Sequence, residues 1–246
     1  MALIAPIMPS ANRIGRPRKT DLREVVNALL YLASSGGAWR LLPKDFPPFS
    51  TVQKYFYRWR EAGLLRTISN SLVMAARETE GREASPTAGV IDNRSRPRKA
   101  AECVASTRER RSTGRKRHIV VDTIGLMVGL VVHAAEIQDR DGAPAALKTI
   151  LERWPWLRHV FADGGYAGPK LKGAMQKIGT FTLEIVKRTD NAKGFEALPR
   201  RWVVERIRMA GRCRSLAKDW EKSIASAEAW VYVAHIRLLT RRPASA

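Results

Sequence analysis

Cysteine is almost missing from this 246-residue chain. There are two, Cys103 and Cys213. They supply neither a disulfide framework nor zinc-ligand spacing, so a reducing, cytoplasmic compartment is expected. Long apolar runs are missing too. None reaches the ~18 residues that a membrane span needs. The opening "MALIAPIMPSANRIGRPRKT" lacks a charged stretch followed by an apolar block, so no signal peptide is expected. There is no internal repeat and no long low-complexity tract. Acidic residues are scarce: 23 Asp and Glu stand against 44 Lys and Arg, a formal charge of +21. That balance implies a polyanionic partner, nucleic acid first. An anionic membrane surface or a ribosome-type structural role would also fit. At 45% hydrophobic residues the chain can bury a core, which excludes a disordered tail. Its length suits one large domain or two smaller ones.

Residues 1–16 read as a flexible arm, followed by a helical domain over 17–80. In "TDLREVVNALLYLASSGG", Asp21 and Glu24 form a capping box. Leu22, Val25, Val26, Leu29 and Leu30 make a stripe at helical spacing, and Gly36-Gly37 stops it. In "STVQKYFYRWREAG", Ser50 and Gln53 form a second capping box. Val52, Tyr55, Phe56 and Trp59 line one face; Lys54, Arg58 and Arg60 lie away from it. A basic helix following another helix suggests a helix-turn-helix-like DNA reader; an amphipathic helix with a solvated basic face reads the same way. A third helix over roughly 64–80 completes the domain, and 81–87 is a linker.

The second half is α/β. "AGVI" reads as a short strand ending at Asp92. "HIVVDTIGLMVGLVVHAAE" reads as a hairpin around Ile124-Gly125. A helix over "DGAPAALKTILERW", a strand "HVFAD", a helix, a strand "FTLEIVKR" and two closing helices follow. In open α/β sheets, ligands gather at the carboxyl ends of strands. Asp92 and Asp163 stand at such ends, the latter before Gly164-Gly165. Glu205 follows in the first turns of a closing helix. Hard carboxylates suit Mg²⁺, and two such ions can activate a water and steady a leaving oxygen. Each acid also has a plainer role: a turn or cap for the aspartates, a pair with Arg201 for Glu205. Asp122, Asp139 and Asp141 are rivals; Asp122 reads as the end of a strand, and the other two as caps of the next helix. His118, His133 and His159 are scattered and read as structural.

The runs "GRKRHIVVDTIGLMVGLVVHAAEIQDRDGA", "FADGGYAGPKL", "EIVKR" and "LPRRWVVER" closely resemble bacterial DDE transposases of the insertion-sequence-five group. "RPRKTDLREVVNALLYLASSGGAWRLLPKDFPPFSTVQKYFYRWRE" resembles that family's N-terminal helical domain. The resemblance spans about residues 14–242. It implies an RNase H-like catalytic core, here over 88–242, and a DDE triad of Asp92, Asp163 and Glu205. It implies two Mg²⁺ ions, for which Mn²⁺ can substitute. It also implies double-stranded DNA as partner (terminal inverted repeats and target), a homodimer or larger synaptic complex, and a cytoplasmic, nucleoid-associated location with no membrane. Arg201 matches the basic position of the related Tyr-x-x-Arg-x-x-x-Glu-x₆-Lys signature; Leu198 stands in place of its Tyr, and Arg212 in place of its Lys. Lys54, Arg58, Arg60, Arg115, Lys116, Arg117, Arg201 and Arg212 are the expected DNA contacts.

The resemblance fails between Asn93 and Gly114. Family members read there like "VKTTESGGVRGFDAGKKING". Back-translated with ordinary codons (GTC AAG ACC ACG GAA AGC and onward) and read one base later, that string becomes "SRPRKAAECVASTRERRSTG". This is residues 95–114, letter for letter. Near Glu205 the family's "ERTFAWLGRCR" appears as "ERIRMAGRCR", one residue shorter, and a shift of two bases accounts for residues 207–211. The expectation is a chain with two compensated frameshifts. Part of its positive charge is then accidental, and a catalytically impaired copy that still binds DNA is the alternative to an active transposase.

Overall fold

The structure is a computed structural model, and it describes residues 4–10, 18–97, 114–168, 171, 173, 174, 182–186, 213–217 and 221–242. By its contacts the chain divides into two compact units. One comprises residues 1–80, 209–217 and 221–246; the other comprises 81–208 and 218–220.

The first unit is helical. Helix α1 (Leu22–Ser35) starts at Asp21, whose side chain accepts from the Arg23 amide at 2.8 Å. It ends at Gly36, which takes the left-handed φ of 68° that suits glycine. Helix α2 (Phe49–Glu61) starts at Pro48 without a side-chain cap. The expected Ser50–Gln53 box is therefore not the start signal: the N-cap is Pro48, two residues earlier, which leaves Ser50 inside the first turn. Helix α3 (Leu64–Thr79) follows a left-handed Gly63. Val25, Leu29, Val52, Phe56, Trp59, Ile68 and Leu72 are buried, as their spacing predicts.

One feature of this unit differs from the expectation. Ile4, assigned to a flexible arm, is 1% exposed and sits in the apolar core. The chain's last described helix, α5 (Ile224–Thr240), lies within the expected catalytic domain of 88–242 by sequence and, by its contacts, groups with the helical unit, packed on α3 and α1. Its composition explains this. The run "AEAWVYVAHIRLL" is apolar on nearly every side, so the helix needs cover all round. Trp230 stacks on Phe56 at 4.8 Å and meets Trp39 at 5.5 Å. His235 is fully buried, and its Nδ1 shares a 2.8 Å hydrogen bond with Ser69 Oγ on α3.

The second unit is built on a mixed five-stranded sheet in the order β3-β2-β1-β4-β5. Strands β1 (Ala88–Pro97), β2 (Gly114–Asp122) and β3 (Met127–Ala134) pair antiparallel; β4 (His159–Asp163) is parallel to β1, and β5 (Thr182–Val186) to β4. This is the mixed α/β sheet that was expected. The hairpin turn forms where Ile124-Gly125 predicts it. Gly125 has a φ of 82°, and buried Asp122 accepts from the Ile124 and Leu126 amides at 3.0 and 2.8 Å. Helix α4 (Asp139–Leu151) packs on β3 and β2. A Cβ at Gly129 would come within 2.7 Å of Ile150 Cγ1, so this glycine lets α4 lie close to the sheet.

Strand β1 does not end at Asp92. It runs to Pro97, pairing Ser95, Arg96 and Pro97 with Lys116, Arg115 and Gly114. These three residues belong to the segment that reads out of frame. A ladder is made by backbone N–H and C=O groups, so it continues through side chains foreign to the family.

Candidate active site

Parallel pairing of β1 with β4 sets Ala88 opposite His159, Gly89 opposite Val160 and Val90 opposite Phe161. Continued by two residues, the same register brings Asp92 level with Asp163. Because side chains alternate across a strand, the two acids share a sheet face with Val90 and Phe161. Asp163 is exposed. Its Oδ1 accepts from the Gly165 amide at 3.0 Å and so caps a short 3-10 turn, Gly164–Tyr166.

A third carboxylate reaches this end of the sheet. Asp139, read from sequence as a helix cap, is instead the first residue of α4; Gln138 precedes it without a side-chain cap. Asp139 Oδ1 takes a 3.1 Å bond from Lys116 Nζ. A Cβ placed on Gly165 would lie 3.1 Å from Asp163 Oδ1 and 3.4 Å from Asp139 Oδ2, so Gly165 separates two carboxylates that a side chain would crowd. Lys116 also donates to the Ile137 carbonyl at 2.8 Å.

Beneath the acids lies Tyr166, 1% exposed. Its hydroxyl shares a 2.9 Å hydrogen bond with His118 Nδ1. Burial drives the phenol well above its usual range, and the charges of Asp139, Asp92 and Asp163 push it further; a hydrogen bond from the Asn93 side chain opposes them. Negative charge is thus concentrated around one neutral hydroxyl. Burial also lowers His118 to about 4, with help from His133. The two imidazoles stack at 4.6 Å. Both Nε2 atoms are buried without a hydrogen-bond partner among the described residues, and both face Gly142, where a Cβ would come within 2.3 Å of one and 2.6 Å of the other.

Both Asp92 and Asp163 lie within the described residues, on the paired strands β1 and β4. Glu205, Arg201 and Arg212 lie outside the described residues, as does Leu198. Among the described residues no group of three His, Cys, Asp or Glu is arranged to hold a metal. Of the basic set, Lys54 and Arg58 are exposed. Arg60 bonds Ser226 Oγ at 2.8 Å and Glu61 at 3.1 Å, and covers the Tyr57 ring at 4.9 Å. Arg115 and Arg117 are 8% and 4% exposed, and Lys116 is paired with Asp139. No helix among the described residues is long and apolar enough to cross a membrane. Sequence reading passed over Asn93, Tyr166 and His118 as site residues. Tyr166 lies within "FADGGYAG", but only the fold brings it against β1 and β2.

Residues 84–239 match the model of the transposase DDE domain, and residues 1–69 match a model for the IS4/5 transposase family. An uncharacterized protein of Sinorhizobium fredii, y4sN, is 35% identical over 77 residues, which are 31% of this chain and 59% of that one. Among solved structures, the Mos1 transposase paired-end complex with left transposon end is 11% identical at a TM-score of 0.27, covering 72% of this chain and 61% of that one. A simian T-cell lymphotropic virus intasome in complex with the PP2A regulatory subunit B56 gamma is 14% identical at 0.33, covering 50% and 37%. In each of these matches this chain spans less than two thirds of its relative. The matched DDE model covers well over half of the sequence: this chain belongs to the transposase DDE domain family.

Proposed function

We propose that this protein is an insertion-sequence DNA transposase that cleaves phosphodiesters at the ends of its element and joins the freed 3′-hydroxyl to target DNA. The observation that supports this reading is the register of β1 and β4, paired as far as Val90 and Phe161, which would set Asp92 level with Asp163 if continued by two residues. In the proposal Asp92, Asp163 and Glu205 hold two Mg²⁺ ions. The donor set fits: hard carboxylate oxygens on adjacent strands, one of them exposed. Such ions, when bound, supply charge to the attacking and leaving oxygens of an in-line displacement. The protein's own part is to fix the carboxylates. Asp163 is oriented by the Gly165 amide, and Lys116 restrains Asp139 beside it. In the helical unit, Lys54 and Arg58 offer cations for DNA phosphates. Cutting two ends together calls for a dimer or larger synaptic complex.

The test is cleavage of end-labelled terminal DNA with Mg²⁺, for the wild type and for Asp163→Asn. Metal-dependent nicking and joining by the wild type alone is expected. Cleavage that survives Asp163→Asn would reject the assignment. Cleavage without joining would make the protein a simple nuclease.

One observation favours a second reading, a DNA-binding remnant of a transposase. Residues 95–114 and 207–211 depart from the family as two compensated frameshifts would. The exchange of an aromatic pair for Arg208 and small residues would cost about 3–5 kcal/mol if those positions are buried. Binding of terminal DNA without metal-dependent cleavage is its signature. Resequencing the locus checks the cause; a gene without paired indels relative to close relatives removes this reading.

A further inference from the structure

The turn that carries Asp163 has little to hold it. Asp163, Gly164 and Gly165 are all exposed, and a Cβ at Gly164 would meet nothing within 4 Å. Two adjacent glycines leave a backbone free to rotate. A carboxylate on such a turn points in a fixed direction only if the turn is anchored. Within residues 163–166 the buried side chain is Tyr166.

The geometry points to Tyr166 as a positioning residue, whose hydroxyl ties the Asp163 turn to the strands carrying Asp92 and His118. The inference rests on the reading of Asp92 and Asp163 as a metal-holding pair. The hydroxyl has two partners on two strands. One is His118 Nδ1 on β2 at 2.9 Å; the other is the side chain of Asn93, the residue after Asp92 on β1. Asn93 and His118 are themselves opposite one another in the β1–β2 ladder. One oxygen atom therefore joins three segments at the level of the acids.

The proton positions follow. The Asn93 side-chain amide carries N–H groups that can donate to the phenol oxygen. The phenol's own proton then goes to His118 Nδ1. His118 is buried, lowered to about 4, and neutral at physiological pH, so Nδ1 can accept. A neutral hydroxyl fits among Asp92, Asp139 and Asp163, where a phenolate would be repelled. Phenylalanine would fill the same space and bridge nothing.

The experiment uses the full chain without DNA. Mn²⁺ binding is titrated by electron paramagnetic resonance for the wild type, Tyr166→Phe and Asp163→Asn, alongside amide exchange at Gly165 and thermal melting. Tyr166→Phe should weaken Mn²⁺ binding by at least about tenfold, the usual loss when the support of a ligand is removed. It should also speed Gly165 exchange while shifting the melting point little. His118→Asn, which keeps an acceptor near the Nδ1 position, should retain most of the affinity that His118→Leu loses; a merely structural role would not follow that order. Unchanged Mn²⁺ affinity in Tyr166→Phe, with affinity lost in Asp163→Asn, overturns the positioning role and leaves the metal reading standing. Unchanged affinity in Asp163→Asn overturns the metal reading and the positioning role with it.

Discussion

His235 in the helical unit and His118 in the sheet unit are both wholly buried, and burial holds both neutral, lowering them to about 3 and about 4. Their surroundings differ. His235 shares a hydrogen bond with Ser69 amid helices lined by Ala, Val, Leu and Ile. His118 uses one nitrogen for Tyr166 and leaves the other unpartnered among the described residues, stacked on a second imidazole in the same state. An unsatisfied buried polar group costs about 1–3 kcal/mol. A core built only for stability sheds such groups, as the helical unit has done around His235. Among the described residues the sheet unit retains such atoms, the two imidazole Nε2 atoms and Ser85 Oγ among them. Departures of this kind collect at functional sites. Of two histidines equally hidden, the one whose hydrogen bonding is incomplete marks the site.

Replacing Asp163 by Asn should give the largest effect. Metal-dependent cleavage should fall by roughly three orders of magnitude or more, as when an enzyme loses a group that nothing else replaces. Melting of the helical unit should not move. Gly142→Ala comes next, and it strikes the sheet unit alone. The added methyl meets His133 Nε2 and His118 Nε2 at 2.3 and 2.6 Å, and overpacking should cost about 3 kcal/mol, read as a lower urea midpoint. Gly164→Ala, where the methyl meets nothing, is the control that should leave the midpoint unchanged. Ser69→Ala breaks the helical unit's histidine pair instead. It strands His235 Nδ1 and should cost about 2 kcal/mol by the same measurement, with metal binding intact.

What could be read from the sequence follows its periodicity. Asp21 and Gly36 bracket α1, and the apolar stripes of α1, α2 and α3 are buried, because a 3.6-residue period records which face meets a core. The hairpin at Ile124-Gly125 was legible for the same kind of reason: turn chemistry is local. Asp92 and Asp163 stood out as isolated acids after apolar strands. That their strands pair in this register was not legible, since parallel register is set by contacts between residues 71 positions apart, Ala88 and His159 being one pair. Asp139 misled because an Asp before a helix ordinarily caps it, and only the fold brings Lys116 to its carboxylate. The uniform apolarity of α5 shows that it is covered without showing by what; the α3 and α1 contacts supply the answer. Tyr166 and His118 lie 48 residues apart, and neither alone differs from an ordinary core residue.

The smallest effect tests the helical unit's side of the contrast through pH. Burial keeps His235 neutral in the folded protein and lowers it from 6.5 to about 3, with the positive charge of Arg242 adding to the effect. In the unfolded chain the imidazole titrates near its ordinary value. Below pH 6.5 the unfolded state takes up a proton that the folded state refuses. The stability contributed by this group is therefore complete above pH 6.5 and is lost as pH falls through the window from 6.5 toward 3, at up to about 1.4 kcal/mol per pH unit. Other groups titrate there as well, His118 among them, so the quantity to follow is the difference between the wild type and His235→Asn. That variant keeps a polar atom near Ser69 and cannot take up the proton. From pH 7 to pH 5 the urea midpoint of the wild type should fall faster than that of His235→Asn, the gap opening below pH 6.5. Parallel curves would mean that His235 takes up its proton in the folded protein as readily as in the unfolded chain. Its bond to Ser69 would then belong to a buried cation, and the helical unit would carry the same kind of unresolved polarity as the acids' side of the sheet.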